Sequence, residues 1–272
     1  MDYVKIIFHT NSEQIKEMII AFLSEETITG FEERDNELIA YSLSADFTET
    51  FRNKITELKI PFSTKNVAQK NWNEEWERNF NPVMIDKNGR NYCFIRASFH
   101  ESKTADFEII ITPKMSFGTG HHETTFMMIL QMSELTFQNK SVVDFGCGTG
   151  ILAIHAKQLG ASNILAVDND PWCIENSIEN FEINGCNDIV TNLVNSFPNG
   201  NYDIVLANIN LNIIKQNLES ISKSCNQNAI IILSGMLIED KNEIFQILEF
   251  YNFKEIDYIF KGNWISVKAK KV

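Results

Sequence analysis

Ser141-Val142-Val143-Asp144-Phe145-Gly146-Cys147-Gly148-Thr149-Gly150 is the stretch that decides how this chain reads. Two β-branched residues lead into an acid, three glycines follow at alternate positions, and the apolar run Ile151-Leu152-Ala153-Ile154 comes next. That order predicts a strand, a tight turn and the start of a helix. Glycine is needed where backbone passes close to a ligand or takes a positive φ, and a helix N-terminus offers free N–H donors. The corner at Gly146 and Gly148 is therefore a candidate site for a small polar or anionic ligand.

Spacing separates two kinds of ligand. The nicotinamide-dinucleotide fingerprint is G-x-G-x-x-G, and counting from Gly146 and Gly148 its third glycine falls on Ile151. The stretch reads instead D-x-G-x-G-x-G. A second apolar run, Ile164-Leu165-Ala166-Val167, ends in Asp168. A carboxylate at the tip of the next parallel strand can accept both hydroxyls of a ribose, because strand ends of such a sheet line one crevice. With Asp144 and Asp168 in register, the last 150 or so residues resemble the S-adenosylmethionine-dependent methyltransferases of the Rossmann-like class.

Composition is that of a folded protein of one or two domains: 272 residues, 44% hydrophobic and 22% charged, enough for a sizeable core. Cys93, Cys147, Cys173, Cys186 and Cys225 are scattered and form no C-x-x-C pair, so neither a disulfide framework nor a zinc site is indicated. The first residues, Met1-Asp2-Tyr3-Val4-Lys5, lack the pattern of a signal peptide, and no apolar run approaches a membrane span, so a cytoplasmic, membrane-free protein is expected. A net charge of −12 argues against a large phosphate-gripping surface and suits a basic protein partner, although it also serves solubility alone.

The first 68 residues predict a small α+β unit of ferredoxin-like type. Tyr3 to His9 reads as a strand, Ile15, Met18, Ile19 and Phe22 as the face of a helix, Glu37 to Leu43 as a strand, Phe47, Phe51, Ile55 and Leu58 as a second helix face, and Phe62 to Ala68 as a strand. Thr27 to Glu33 leaves room for one more strand. Nothing in this unit looks catalytic, which suggests a substrate-recognition module or a structural prop. Residues 69–81 read as a linker helix, with Trp72, Trp76 and Phe80 along one side. Glu74, Glu75 and Glu77 between them would repel phosphates, so the stripe suits packing better than base stacking.

Residues 82–272 form the predicted catalytic domain. It opens with a hairpin extension, strands Pro82 to Asp86 and Asn91 to Ala97 around Asn88-Gly89, and a third strand from Phe107 to Thr112. Phe117-Gly118-Thr119-Gly120-His121-His122-Glu123-Thr124-Thr125 comes next, its Glu123-Thr124-Thr125 able to place side-chain oxygens around the first turn of the helix that follows. A metal site from His121, His122 and Glu123 is disfavoured, since adjacent helical residues point apart and such sites use i, i+4 spacing. Strands are then expected at Ser141 to Phe145, Asn163 to Asp168, Asp188 to Val194, Tyr202 to Asn208, Ala229 to Ser234, Phe253 to Lys261 and Trp264 to Ala269. Helices are expected at Ile151 to Leu159, Pro171 to Asn184, Leu211 to Ser224 and Leu237 to Tyr251. Only Gly262-Asn263 separates the last two strands, so they should form an antiparallel hairpin closing an otherwise parallel sheet. Asn208, at the end of its strand, either orients an amine or caps the next helix.

Taken together the motifs resemble the family of methyltransferases of large-subunit ribosomal protein eleven, across small N-terminal domain, tryptophan-bearing linker and catalytic domain. The most specific match is the run from Phe117 to Thr125, against the family pattern F-G-T-G-x-H-x-T-T, with Asp144 to Leu152 close behind. The resemblance implies a seven-stranded Rossmann-like α/β domain behind a ferredoxin-like one, and S-adenosylmethionine as cofactor. Residue by residue it implies cofactor contacts at Thr125, Gly146, Asp168 and Asn208, with Gly148 in the same corner, and gives Asn208 the role of orienting the amine or the cofactor. No general base and no metal are implied. The implied reaction is methyl transfer to the N-terminal α-amine and lysine side chains of the ribosomal protein, by a monomer that does not itself bind nucleic acid. Two departures stand out: Thr112-Pro113-Lys114 where D-P-G is frequent, and Asn210 where N-I-L is common. Rival readings are a methyltransferase acting on another protein or a nucleic-acid base, and a cofactor-sensing assembly factor.

Overall fold

A computed structural model describes residues 3–23, 27–34, 36–67, 80–114 and 118–272. The chain divides into two compact units, Met1–Trp72 and Asn73–Val272.

In the first unit the order is β1 (Tyr3–His9), α1 (Glu13–Leu23), β2 (Ile28–Arg34), β3 (Glu37–Leu43), α2 (Glu49–Glu57) and β4 (Phe62–Val67). The strands lie in the order β2-β3-β1-β4, every pairing antiparallel, which is the ferredoxin-like arrangement. Alternate residues of β1, Val4, Ile6 and Phe8, face one side, where Ile19 and Leu23 of α1 and Phe51 and Ile55 of α2 meet them. Thr48 caps α2 by accepting from Phe51 N at 3.2 Å. Buried Lys16 keeps its charge satisfied through Glu13 Oε1 at 2.8 Å and Arg34 O at 2.9 Å.

The second unit begins with a three-stranded sheet, β5 (Val83–Lys87), β6 (Arg90–Arg96) and β7 (Phe107–Ile110). Asn88 and Gly89, both at positive φ, turn the β5-β6 hairpin, and β7 runs parallel to β6. Helix α3 (Glu123–Met132) leads to the main sheet, whose elements are β8 (Ser141–Phe145), α4 (Ile151–Gln158), β9 (Asn163–Asp168), α5 (Pro171–Ile183), β10 (Val190–Leu193), β11 (Tyr202–Asn208), α6 (Leu211–Ser224), β12 (Cys225–Leu237), α7 (Lys241–Phe250), β13 (Phe253–Lys261) and β14 (Trp264–Lys271).

Seven strands pair in the order β10-β9-β8-β11-β12-β14-β13. The pairings from β10 to β12 are parallel, while β14 is antiparallel to both its neighbours. Chain order reverses between β8 and β11, and that switch point opens a crevice at the carboxyl ends of the strands. Both faces of the sheet are buried: Val142, Ile204 and Leu206 belong to one core layer, and Val143, Val205 and Ala207 to the other.

Many elements differ from the expected boundaries by one or two residues, and three of the differences have a visible cause. Strand β12 starts four residues early because Cys225, the cap of α6, is already extended, at φ −79 and ψ 132. Leu237 to Asp240 is not α-helical: Ile238–Asp240 forms a 3-10 turn held by Asp240 Oδ2 accepting from Leu237 N at 2.8 Å. Strand β10 starts at Val190 because Ile189 N donates to Cys186 O at 3.1 Å. Of the expected linker helix at 69–81, Trp72 and Trp76 lie outside the described residues; Phe80 is described, its ring set edge-on to His121 with centroids 4.8 Å apart. Among the described residues no helix is long and apolar enough to cross a membrane.

Candidate active site

The corner after β8 is built as its glycines require. Gly146, Gly148 and Gly150 have φ of 78, 53 and 77°. Gly146 N and Cys147 N both donate to Val167 O, at 2.8 and 2.9 Å, and Gly148 N donates to Asp168 Oδ2 at 2.9 Å. The turn is thereby folded over the end of β9. A Cβ on Gly146 would lie 2.3 Å from Ile209 Cγ2, and one on Gly150 2.4 Å from Phe181 Cε1, so side chains are excluded on both flanks.

Two acids meet at this corner. Asp168 accepts from Gly148 N and, through Oδ1 at 3.0 Å, from Asp170 N, which fixes its carboxylate and leaves each oxygen a further lone pair. Asp144 is fully buried; its Oδ2 accepts from Ala153 N at 3.1 Å, and its Oδ1 has no hydrogen-bond partner among the described residues. Burial pushes the Asp144 carboxyl from 3.8 up to about 7, with the Ala153 N–H opposing and the Asp168 charge reinforcing.

Across the crevice, Asn208 ends β11 and Thr125 lies fully buried in the first turn of α3. Asn208 Nδ2 reaches Thr125 Oγ1 at 3.5 Å, and Asn208 Oδ1 is buried without a hydrogen-bond partner among the described residues. Helix capping is the work of Asn210, whose Oδ1 accepts from Ile213 N at 3.1 Å, so Asn208 is free for another use. That capping role also accounts for Asn210 standing where the family often has leucine. Glu123, Thr124 and Thr125 stand in the first turn of α3 as expected, and the helix is capped by His122, Nδ1 accepting from Thr124 N at 3.3 Å. His121 turns to Phe80, and the His122 ring packs edge-on against Trp264 at 4.7 Å. Phe117 lies outside the described residues.

In place of D-P-G, the segment approaching the crevice is tied to α5: Thr112 Oγ1 donates to Glu179 Oε1 at 3.1 Å and Lys114 forms an ion pair with the same carboxylate. Two site features escaped the sequence reading. One is the isolation of Asp144 Oδ1. The other is Gly235, at φ 85, which bulges β12 where it passes Ile209; an isolated glycine inside a strand pattern was its signal.

The chain matches the family described as ribosomal protein L11 methyltransferase (PrmA) over residues 6–272. The protein belongs to that family. The ribosomal protein L11 methyltransferase of Bacteroides thetaiotaomicron is 36% identical over 284 residues, covering 98% of this chain and 99% of the relative. That of Chlorobaculum parvum is 35% identical, covering 97% and 95%. The crystal structure of a ribosomal protein L11 methylase from Lactobacillus delbrueckii subsp. bulgaricus is 25% identical, with a TM-score of 0.64, over 71% of this chain and 100% of that one. Membership of the L11 methyltransferase family makes this chain a protein methyltransferase, as its motifs implied.

Proposed function

We propose that this protein transfers methyl groups from S-adenosylmethionine to the N-terminal α-amine and lysine ε-amines of ribosomal protein L11. The observation that carries the reading is one crevice with four features: a glycine corner folded over the end of β9, a carboxylate fixed by two backbone N–H groups, and the two buried oxygens Asp144 Oδ1 and Asn208 Oδ1 left without partners among the described residues. Buried polar atoms are rarely left unpaired, so such a cluster fits a polar ligand that completes it. S-adenosylmethionine suits these donors and acceptors: Gly146, Gly148 and Asp168 would hold its nucleoside part, and Thr125 and Asn208 its methionine part. When bound, it supplies a methyl group already activated on a sulfonium.

The work left to the chain is positioning, which in well-aligned reactions recovers on the order of 7 to 11 kcal/mol of barrier. Asn208 offers both a donor and an acceptor at the rim and orients the incoming amine. A lysine amine, ordinarily of pKa near 10.4, must arrive neutral, and desolvation at the crevice favours that form. The first unit, with an ordinary apolar core and no chemistry of its own, serves as the module that recognises the ribosomal protein. The enzyme acts as a cytoplasmic monomer without gripping nucleic acid, in keeping with its charge of −12.

Radiolabelled S-adenosylmethionine, incubated with the purified enzyme, separated ribosomal proteins and ribosomal RNA, should label ribosomal protein L11. Label on RNA or on other proteins alone would overturn the substrate assignment. Deleting residues 1–65 should raise KM for the ribosomal protein while cofactor affinity stays put; an unchanged KM removes the recognition role from the first unit.

A further inference from the structure

Helix α5 and its C-cap carry Asn176, Asn180 and Asn184 four residues apart, and all three amides reach the same extended segment. Ile110 N donates to Asn184 Oδ1 at 2.9 Å, and Asn184 Nδ2 donates to Ile110 O at 2.7 Å. Thr112 N donates to Asn180 Oδ1 at 2.8 Å, and Asn176 Nδ2 approaches Thr112 O at 3.5 Å. The intervening residue, Ile111, turns its N–H the other way, to Arg96 O of β6 at 2.8 Å. The side chains of α5 thus stand in for a neighbouring strand along the continuation of β7.

Asn180 does something its neighbour Asn184 does not. Its Nδ2 donates to Thr149 O at 2.9 Å, inside the glycine corner. Thr149 in turn donates through Oγ1 to Gly118 O at 2.7 Å. The approach is close: a Cβ on Gly118, whose φ is 103°, would lie 2.7 Å from that hydroxyl. Asn180 and Thr149 are both fully buried. Thr112 and Gly118, on either side of the approach to α3, are therefore both fastened to one residue of the corner, the first through Asn180 and the second directly.

We propose that Asn180 and Thr149 are positioning residues that lock the cofactor corner to the segment leading to Thr125, so that cofactor affinity and the placement of Thr125 beside Asn208 stand or fall together. The proposal rests on the reading of that corner as the S-adenosylmethionine site. N180D keeps an acceptor for Thr112 N but sets a carboxylate oxygen against Thr149 O, and buried groups left without their partner are costly. T149V keeps the shape but takes the donor from Gly118 O; T149S restores it.

Calorimetric S-adenosylmethionine affinity, kcat at saturating cofactor and the thermal midpoint, measured on the full-length wild type and on T149V, T149S, N180D, N184D and T149V/N180D, test it. T149V and N180D should each weaken cofactor binding about tenfold, which is about 1.4 kcal/mol, and lower kcat as well. The double variant should lose less than the product of the two, as coupled groups do. T149S should bind within about twofold of wild type, since the hydroxyl returns. N184D, which takes the Nδ2 donor from Ile110 O and Asn180 O but leaves the Asn180 side chain its own partners, should lower the thermal midpoint yet leave affinity and kcat within about twofold of wild type. Equal weakening by N184D and N180D, or wild-type affinity in T149V, would overturn the proposal. A wild-type enzyme that takes up no S-adenosylmethionine would instead overturn the cofactor reading beneath it.

Discussion

Two of the amides carried by α5 and its C-cap, Asn180 and Asn184, and the amide at the end of β11 lie in the same unit and are used in opposite ways. Asn180 and Asn184 give both oxygen and nitrogen to backbone partners, all within 2.9 Å. Asn208 has one long contact of 3.5 Å and an oxygen with none, and Asp144 beside the glycine corner also keeps an oxygen without a partner. An unsatisfied buried polar atom costs about 1–3 kcal/mol. A fold that satisfies Asn180 and Asn184 and leaves these rim oxygens open places part of that cost where a ligand can relieve it, although Asn176 Oδ1 on α5 also lacks a partner among the described residues. Asn180 and Asn184 hold the shape, and Asn208 at the rim can take a partner.

The sharpest way to break this contrast is Asn208→Ala. Loss of one oriented donor at a reacting centre costs about a hundredfold in kcat, and cofactor affinity should change far less. Unchanged kcat would put Asn208 with the structural amides. On the flank, Asn184→Ala should do the reverse, lowering stability by about 2 kcal/mol as Ile110 loses both its partners, with kcat intact; denaturant midpoints and steady-state rates read the two effects side by side.

Asp144 sharpens the same contrast through pH. Its carboxyl is raised from 3.8 to about 7, chiefly by burial, so the folded protein prefers it protonated. Stability from this group is full below pH 3.8, falls as pH rises towards about 7, and levels off above that. Asp144→Asn should therefore be flatter over that range in ligand-free denaturation and gain on wild type as pH rises, while binding the cofactor more weakly. A parallel pH dependence in the two proteins would mean that Asp144 is paired after all. Smallest of all, Lys114→Ala removes an ion pair from a surface position more than a third exposed, and should cost less than about 1 kcal/mol with cofactor affinity unaffected.

Most strands were legible because their residues announce them locally. Val142-Val143 before a glycine, and Tyr202 to Ala207 before Asn208, are apolar runs of strand length with clear stops, and those stops are the crevice. The hairpin at Asn88-Gly89 was legible because few other residues tolerate its φ values. What stayed hidden depends on distant chain. Asn208 and Asn210 are equally able to cap a helix, and only the point where β11 leaves the sheet decides between them. Nothing local to Asn176, Asn180 and Asn184 tells that Ile110 and Thr112 lie against them. Cys225 passes from helix to strand without a turn residue to mark it.

Ile209 shows where the rim gets its height. Gly146 faces its side chain, and Gly235 faces its backbone, where an added Cβ would sit 2.5 Å from Ile209 O. Two remote pieces of chain pinch one residue, and the carboxamide next to it inherits that setting. Efforts to widen the range of acceptors by redesigning Asn208 would be working on a part whose mounting lies elsewhere; adjusting either glycine would retune it as a whole.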